Sequence, residues 1–186
     1  MEKVPIKWQK KYLQIMNRRI TVRSICSGDL HMLLTWRNSP HVRDFMLTRH
    51  LISESEHYEW FLNKNKDSLC TRLIVEENES PLGYVQFDEV AERGEAVWTF
   101  HLKPDAPPGS GTKLGLHALN YAFDVLGFCV IHGKVLDFNN KSISFHYKMG
   151  FIKKTILQNQ LTINKNPVSL ICFKLDKKAW QKTCVR

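Results

Sequence analysis

The chain has 186 residues, 43% of them hydrophobic and 24% charged, with a formal net charge of +9. That length suits one compact domain with its own core and is short for two, and the composition excludes wholesale disorder. No apolar run approaches the roughly 20 residues of a membrane span, and the start lacks the apolar stretch of a secretory signal, so a cytoplasmic protein is expected.

Residues 1–19 are strongly basic around Trp8, Tyr12, Leu13 and Ile15, and read as an extension that precedes the domain, either a short amphipathic helix or a poorly ordered arm. Ile20 to Arg23 alternates as a half-buried strand does. Ser27-Gly28-Asp29 offers a turn and an N-cap for a helix from Leu30 to Arg37, which Asn38-Ser39-Pro40 stops. A second helix follows Ser53, where Ser53-Glu54-Ser55-Glu56 has capping-box spacing and His57, Trp60 and Phe61 recur at helical intervals.

From residue 71 the period becomes that of strands: 72–76, 83–88 and 96–103. A Pro/Gly loop over 104–111 leads into an amphipathic helix over 112–126. A strand over 130–136, a helix over 142–149, one strand within 155–169 around a turn at Asn164-Lys165-Asn166-Pro167, and a closing strand over 170–175 complete the series. The order β-α-α-β-β-β-α-β-α-β-β predicts one α+β, or mixed α/β, domain over 20–178, a mostly antiparallel sheet flanked by helices, with a short tail over 179–186.

Metal chemistry is not expected. Cys26, Cys70, Cys129, Cys172 and Cys184 never fall at C-x-x-C spacing, and the eight histidines form no H-E-x-x-H pair. Cys26, Cys129 and Cys172 lie in or beside apolar segments and read as small buried hydrophobes in a reducing compartment. The excess of Lys and Arg is spread along the chain, which speaks for solubility or for an anionic partner.

Two segments carry chemistry. In Pro107-Pro108-Gly109-Ser110-Gly111-Thr112, glycines ahead of a helix N-terminus let backbone amides converge on a pyrophosphate. In Asn139-Asn140-Lys141-Ser142-Ile143-Ser144-Phe145-His146-Tyr147-Lys148-Met149-Gly150-Phe151, a strand end caps a helix that stops at Gly150. Each alone is also an ordinary connection or a well-capped helix.

Together, about 30 residues apart and separated by helix and strand, they resemble the GNAT family of acetyltransferases. There the first motif binds the pyrophosphate of acetyl-CoA, and a second of the form N-x-x-[SA]-I-x-x-Y-x-K-x-G-F follows the pantetheine arm. Asn139, Ser142, Ile143, Lys148, Gly150 and Phe151 match in order and spacing. Residues 36–43 and 52–61 are similar to the subgroup that holds ribosomal-protein N-acetyltransferases and nucleotide-sugar acetyltransferases, with the nucleotide-sugar branch the nearer likeness.

The resemblance implies a GNAT fold, acetyl-CoA as cosubstrate without metal, and direct acetyl transfer to the 4-amino group of a UDP-linked amino sugar. It implies cofactor contacts at Phe100, His101 and Leu102, whose strand presents a backbone amide to the thioester, and at Gly109, Ser110, Gly111, Thr112, Lys113, Asn139 and Ser142. Prolines at 107 and 108 have no N–H, so the amides of 109–112 must carry the phosphate site, with the Ser110 hydroxyl and Lys113 as helpers. His146 occupies the position where the family places its tyrosine, and Tyr147 follows, about 100° round the helix. Either would protonate the departing thiolate.

Asp88, His101 and Asp137 are candidates for the base. Arg37, Met46, His57 and Trp60 are expected to line the acceptor pocket. A protein N-terminal, lysine or small-amine acceptor, and a non-catalytic anion-binding module of the same fold, are the alternatives. Nucleic acid is not the expected partner, and a homo-oligomer stays open.

Overall fold

The computed structural model describes residues 19–63, 69–90, 94–163 and 165–184. The basic segment 1–18 lies outside them. Seven strands form one sheet: β1 Ile20–Ser24, β2 Cys70–Glu77, β3 Ser80–Glu89, β4 Glu95–Leu102, β5 Val130–Leu136, β6 Ile152–Ile163 and β7 Asn166–Asp176. Their spatial order is β1-β2-β3-β4-β5-β7-β6, and every neighbouring pair is antiparallel except β4–β5. The helices are α1 Leu30–Asn38, α2 Pro40–Arg43, α3 Glu54–Asn63, α4 Ser110–Asn120, continued by a wider turn over Tyr121–Val125, then α5 Asn140–Lys148 and α6 Lys177–Cys184. A parallel strand pair needs a crossover, and α4 supplies it.

Alternation along the strands divides the interior in two. Leu73, Val75, Val85, Phe87 and Trp98 bury against Leu114, Ala118 and Phe123 of the α4 segment. Ile74 and Tyr84, one residue out of phase, bury against Leu33 and Trp36 of α1. Each fully buried Leu, Ile or Phe contributes roughly 1.5–3 kcal/mol, so both sheet faces are held. Arg23 anchors the turn before α1: it grips Asp29 with two hydrogen bonds of 2.7 and 2.8 Å and reaches Glu76 at 2.8 Å. That guanidinium holds the Asp29 carboxyl down at about 2.

Several local expectations change. Pro40 does end α1, but as the first residue of α2, where its missing N–H costs nothing. The tail expected over 179–186 is helical through Cys184, because Trp180 is buried and donates to Asn120 Oδ1 at 2.8 Å. Cys26 and Cys129 are exposed and Cys70 is buried, since the first two stand in turns beside apolar strands, not within them. Ser53 caps α3 as its sequence predicts, accepting the Glu56 N–H at 3.2 Å.

Candidate active site

The parallel pairing of β4 with β5 is short. It joins Glu95–Val130, Ala96–Ile131 and Val97–His132 and then stops, although the strands run on to Leu102 and Leu136. The two strands part there, and the edge of β4 from Trp98 to Leu102 faces the gap without a strand partner. Backbone groups left unpaired in a sheet interior must be met by something else. Phe100, His101 and Leu102, the expected cofactor contacts, lie on this edge.

His146 fills the apex of the gap. It is 2% exposed, and both ring nitrogens are engaged: Nδ1 donates to the Ser142 carbonyl at 2.8 Å, and Nε2 accepts the Trp98 indole N–H at 3.2 Å. Gly133 makes room for this, because a Cβ there would lie 2.5 Å from His146 Nε2. Burial pushes the imidazole down to about 4, so at neutral pH it is uncharged. The ring braces α5 against β4 through these two hydrogen bonds. Tyr147 is half exposed and sets its ring edge-on against Phe173 of β7, 5.3 Å between centroids.

The Gly109–Thr112 loop fits an anion with part of the expected donor set. Gly109 has φ +91°, and nothing lies within 4 Å of a Cβ built on it. The Ser110 N–H closes onto Pro107 O at 3.1 Å, and those of Thr112 and Lys113 onto Gly109 O at 3.1 and 3.3 Å. The amides of Gly109 and Gly111 have no backbone acceptor among the described residues. Beside them the Ser110 Oγ is buried with no hydrogen-bond partner. An unsatisfied hydroxyl under an open backbone cradle at a helix N-terminus suits a pyrophosphate.

Lys113 does not serve the loop, because Glu77 holds its Nζ at 2.5 Å. Lys148 of α5 reaches it instead, donating to Thr112 Oγ1 at 2.8 Å. Lys148 belongs to the second motif, and it meets Thr112 of the first only because the fold brings together helices 36 residues apart. Asn139 caps α5, accepting the Ser142 N–H at 3.1 Å, which fixes the first turn of that helix.

On the opposite face of the sheet, a cavity of about 300 Å³ collects all four expected acceptor residues, Arg37, Met46, His57 and Trp60. Thr99 and His101 of β4 form its floor together with Tyr84 and Gln86 of β3. Arg37 donates Nη2 to Thr48 O at 2.5 Å, while its Nη1 is buried and unpartnered. His57 is 7% exposed, stacks on Trp60 at 4.9 Å and likewise has a buried, unpartnered Nε2. Burial lowers the pKa of both groups. Such buried, unpartnered polar atoms are of the kind that a ligand's polar groups meet.

Of the three base candidates, two are structural. Asp88 accepts both of its hydrogen bonds from Gln86 at 2.8 and 2.9 Å, and Asp137 accepts the Ser169 N–H at 2.9 Å. His101 alone lines the cavity. Its Nδ1 donates to Leu102 O at 3.2 Å, which leaves the Nε2 lone pair available. Burial, with a smaller push from Arg37, lowers this imidazole to about 4.

A split sheet, a glycine cradle at the start of the crossover helix and an acceptor cavity across the sheet define an acyl-CoA N-acyltransferase. The profile of the family described as Acetyltransferase (GNAT) domain matches residues 19–152, and the chain belongs to that family. It is an acetyl-CoA-dependent N-acetyltransferase of GNAT fold.

Among curated proteins it is similar to the acetyltransferase PseH of Campylobacter jejuni, 26% identical over 125 residues, which cover 67% of this chain and 78% of the relative. It also resembles an uncharacterised protein of Methanocaldococcus jannaschii, 25% identical over 147 residues but spanning 28% of that longer protein. Among solved structures, the spermidine N-acetyltransferase from Vibrio cholerae in complex with CoA and spermine shares the fold with a TM-score of 0.80. That likeness covers 87% of this chain and 98% of the other at 20% identity. No described helix is long and apolar enough to cross a membrane.

Proposed function

We propose that the chain moves acetyl from acetyl-CoA to the amino group of a UDP-linked amino sugar. The compound we favour is UDP-4-amino-4,6-dideoxy-N-acetyl-β-L-altrosamine, an acceptor in pseudaminic acid synthesis. The observation that carries this reading is the electrostatic character of the acceptor cavity. Its lining holds one carboxylate, Glu56, already 3.0 Å from His50, against the guanidinium of Arg37. A polyamine cation would need several carboxylates to replace its water. An acceptor with phosphates at one end and a weakly basic amine at the other suits the cavity, and the similarity to PseH supports the same class.

The burial that holds His101 near 4 also disfavours an ammonium ion beside it. The acceptor amine therefore enters as the free base, ready to attack. Its N–H becomes strongly acidic only after the new C–N bond forms, and at that stage His101 Nε2 is basic enough to take the proton. The unpaired edge of β4 offers backbone N–H groups to the developing oxyanion. CoA leaves as a thiolate of modest basicity and takes its proton from water, because His146 holds none to give.

Thiol release from acetyl-CoA, measured with the UDP-amino sugar, with spermidine and with an amino-terminal peptide, tests the reading. Release with the sugar nucleotide alone is expected. Release with spermidine or peptide and none with the sugar would overturn the acceptor and leave the family and cosubstrate in place.

A further inference from the structure

The acceptor cavity is too small for the acceptor just assigned. At about 300 Å³ it stands at the lower end of the range for small-molecule sites, about 300–1,000 Å³. A sugar fills it, and the two phosphates, the ribose and the base must lie outside.

The segment between α1 and α3 shows where. Met46 and Thr48 face this cavity, while Phe45 and Arg49, which flank them in the chain, face a second groove of about 400 Å³. Across that groove stands Phe138, just beyond the end of β5. Phe45 and Phe138 are 43% and 42% exposed, with ring centroids 6.1 Å apart. Two neighbouring phenyl rings held in water form a platform for a flat partner. Asn166 lies in the same wall.

Each cavity has a guanidinium in its wall, Arg37 in the first and Arg49 in the second. The Nη1 of Arg37 is unpartnered. Arg43 lies close enough to depress the Arg37 pKa. Arg43 and Arg49 share one carboxylate, Asp44, at 3.8 and 3.7 Å, near the outer limit of an ion pair. Three cations face two carboxylates, Asp44 held loosely and Glu56 engaged by His50, which leaves a net positive path suited to a diphosphate.

We infer that the Phe45–Phe138 groove is the nucleotide subsite: the base of a nucleoside diphosphate stacks there while its phosphates follow Arg49, Arg43 and Arg37 to the sugar cavity. This rests on the sugar-nucleotide reading and adds the location of the nucleotide.

Titration calorimetry with UDP is the test. Wild type is expected to bind UDP, and Phe138→Ala and Arg49→Gln each to weaken binding about tenfold, with acetyl-CoA binding unchanged. Both positions are partly solvent-exposed, and thermal unfolding of each variant checks that it folds. The same variants should raise the KM for the UDP-amino sugar by a similar factor. UDP binding that both variants leave intact would overturn the groove assignment and spare the sugar-nucleotide reading. Turnover of the sugar nucleotide by a protein that UDP neither binds nor inhibits would do the same. Neither UDP binding nor turnover of the sugar nucleotide in wild type would overturn both.

Discussion

His101 and His146 lie on either side of the parting strands and begin from the same physics. His146 is buried and His101 half-buried; each donates Nδ1–H to a backbone carbonyl, and burial lowers each to about 4. They differ at Nε2. In His146 it accepts the Trp98 indole, completing the hydrogen bonding of a sealed residue; in His101 no described group meets it and the ring lines a cavity. A depressed pKa does not distinguish a catalytic imidazole from a structural one. The occupancy of the second nitrogen does, because a satisfied lone pair cannot take a proton.

The sharpest way to break this division is to exchange the consequences. His101→Ala should lower kcat by about a hundredfold or more, the ordinary worth of a general base, with the KM for acetyl-CoA unchanged in steady-state assays. An equal loss of kcat in folded His146→Phe would erase the distinction.

The corresponding loss at the apex is one of stability. His146→Phe strands the Trp98 N–H and the Ser142 carbonyl, which costs about 1–3 kcal/mol, read from the urea midpoint. Gly133→Ala should cost a similar amount by driving a methyl into the His146 ring.

A pH series sharpens the comparison further. Both imidazoles are neutral when folded and take up protons on unfolding, so unfolding free energy should fall as pH drops from about 6.5 to 4. The slope should shrink in His146→Phe. An imidazolium acid of ordinary pKa would make kcat decline as pH rises through about 6.5; no such decline is expected between about pH 6 and 8. The smallest effect belongs to Tyr147→Phe, less than about threefold in kcat, since this ring packs on Phe173.

The amino-acid order alone determined a good deal. Alternation and capping signals placed every strand of the sheet and the helices α1, α3, α4 and α5, because period and caps are local properties that neighbouring residues enforce. The two spaced motifs carried the family, and Arg37, Met46, His57 and Trp60, named together from the sequence, line one cavity.

Tertiary structure decided what each polar group does. Lys113 pairs with Glu77 and Lys148 with Thr112 because the ends of β2 and α5 both meet the first turn of α4. His146 became a brace because Gly133 and Trp98, distant in sequence, meet it at the parting of two strands. Trp180 made a helix of an expected tail by finding Asn120. Sequence proximity sets backbone conformation, whereas proton affinity, hydrogen-bond occupancy and access to a cavity are set by whichever atoms the fold brings within a few ångströms.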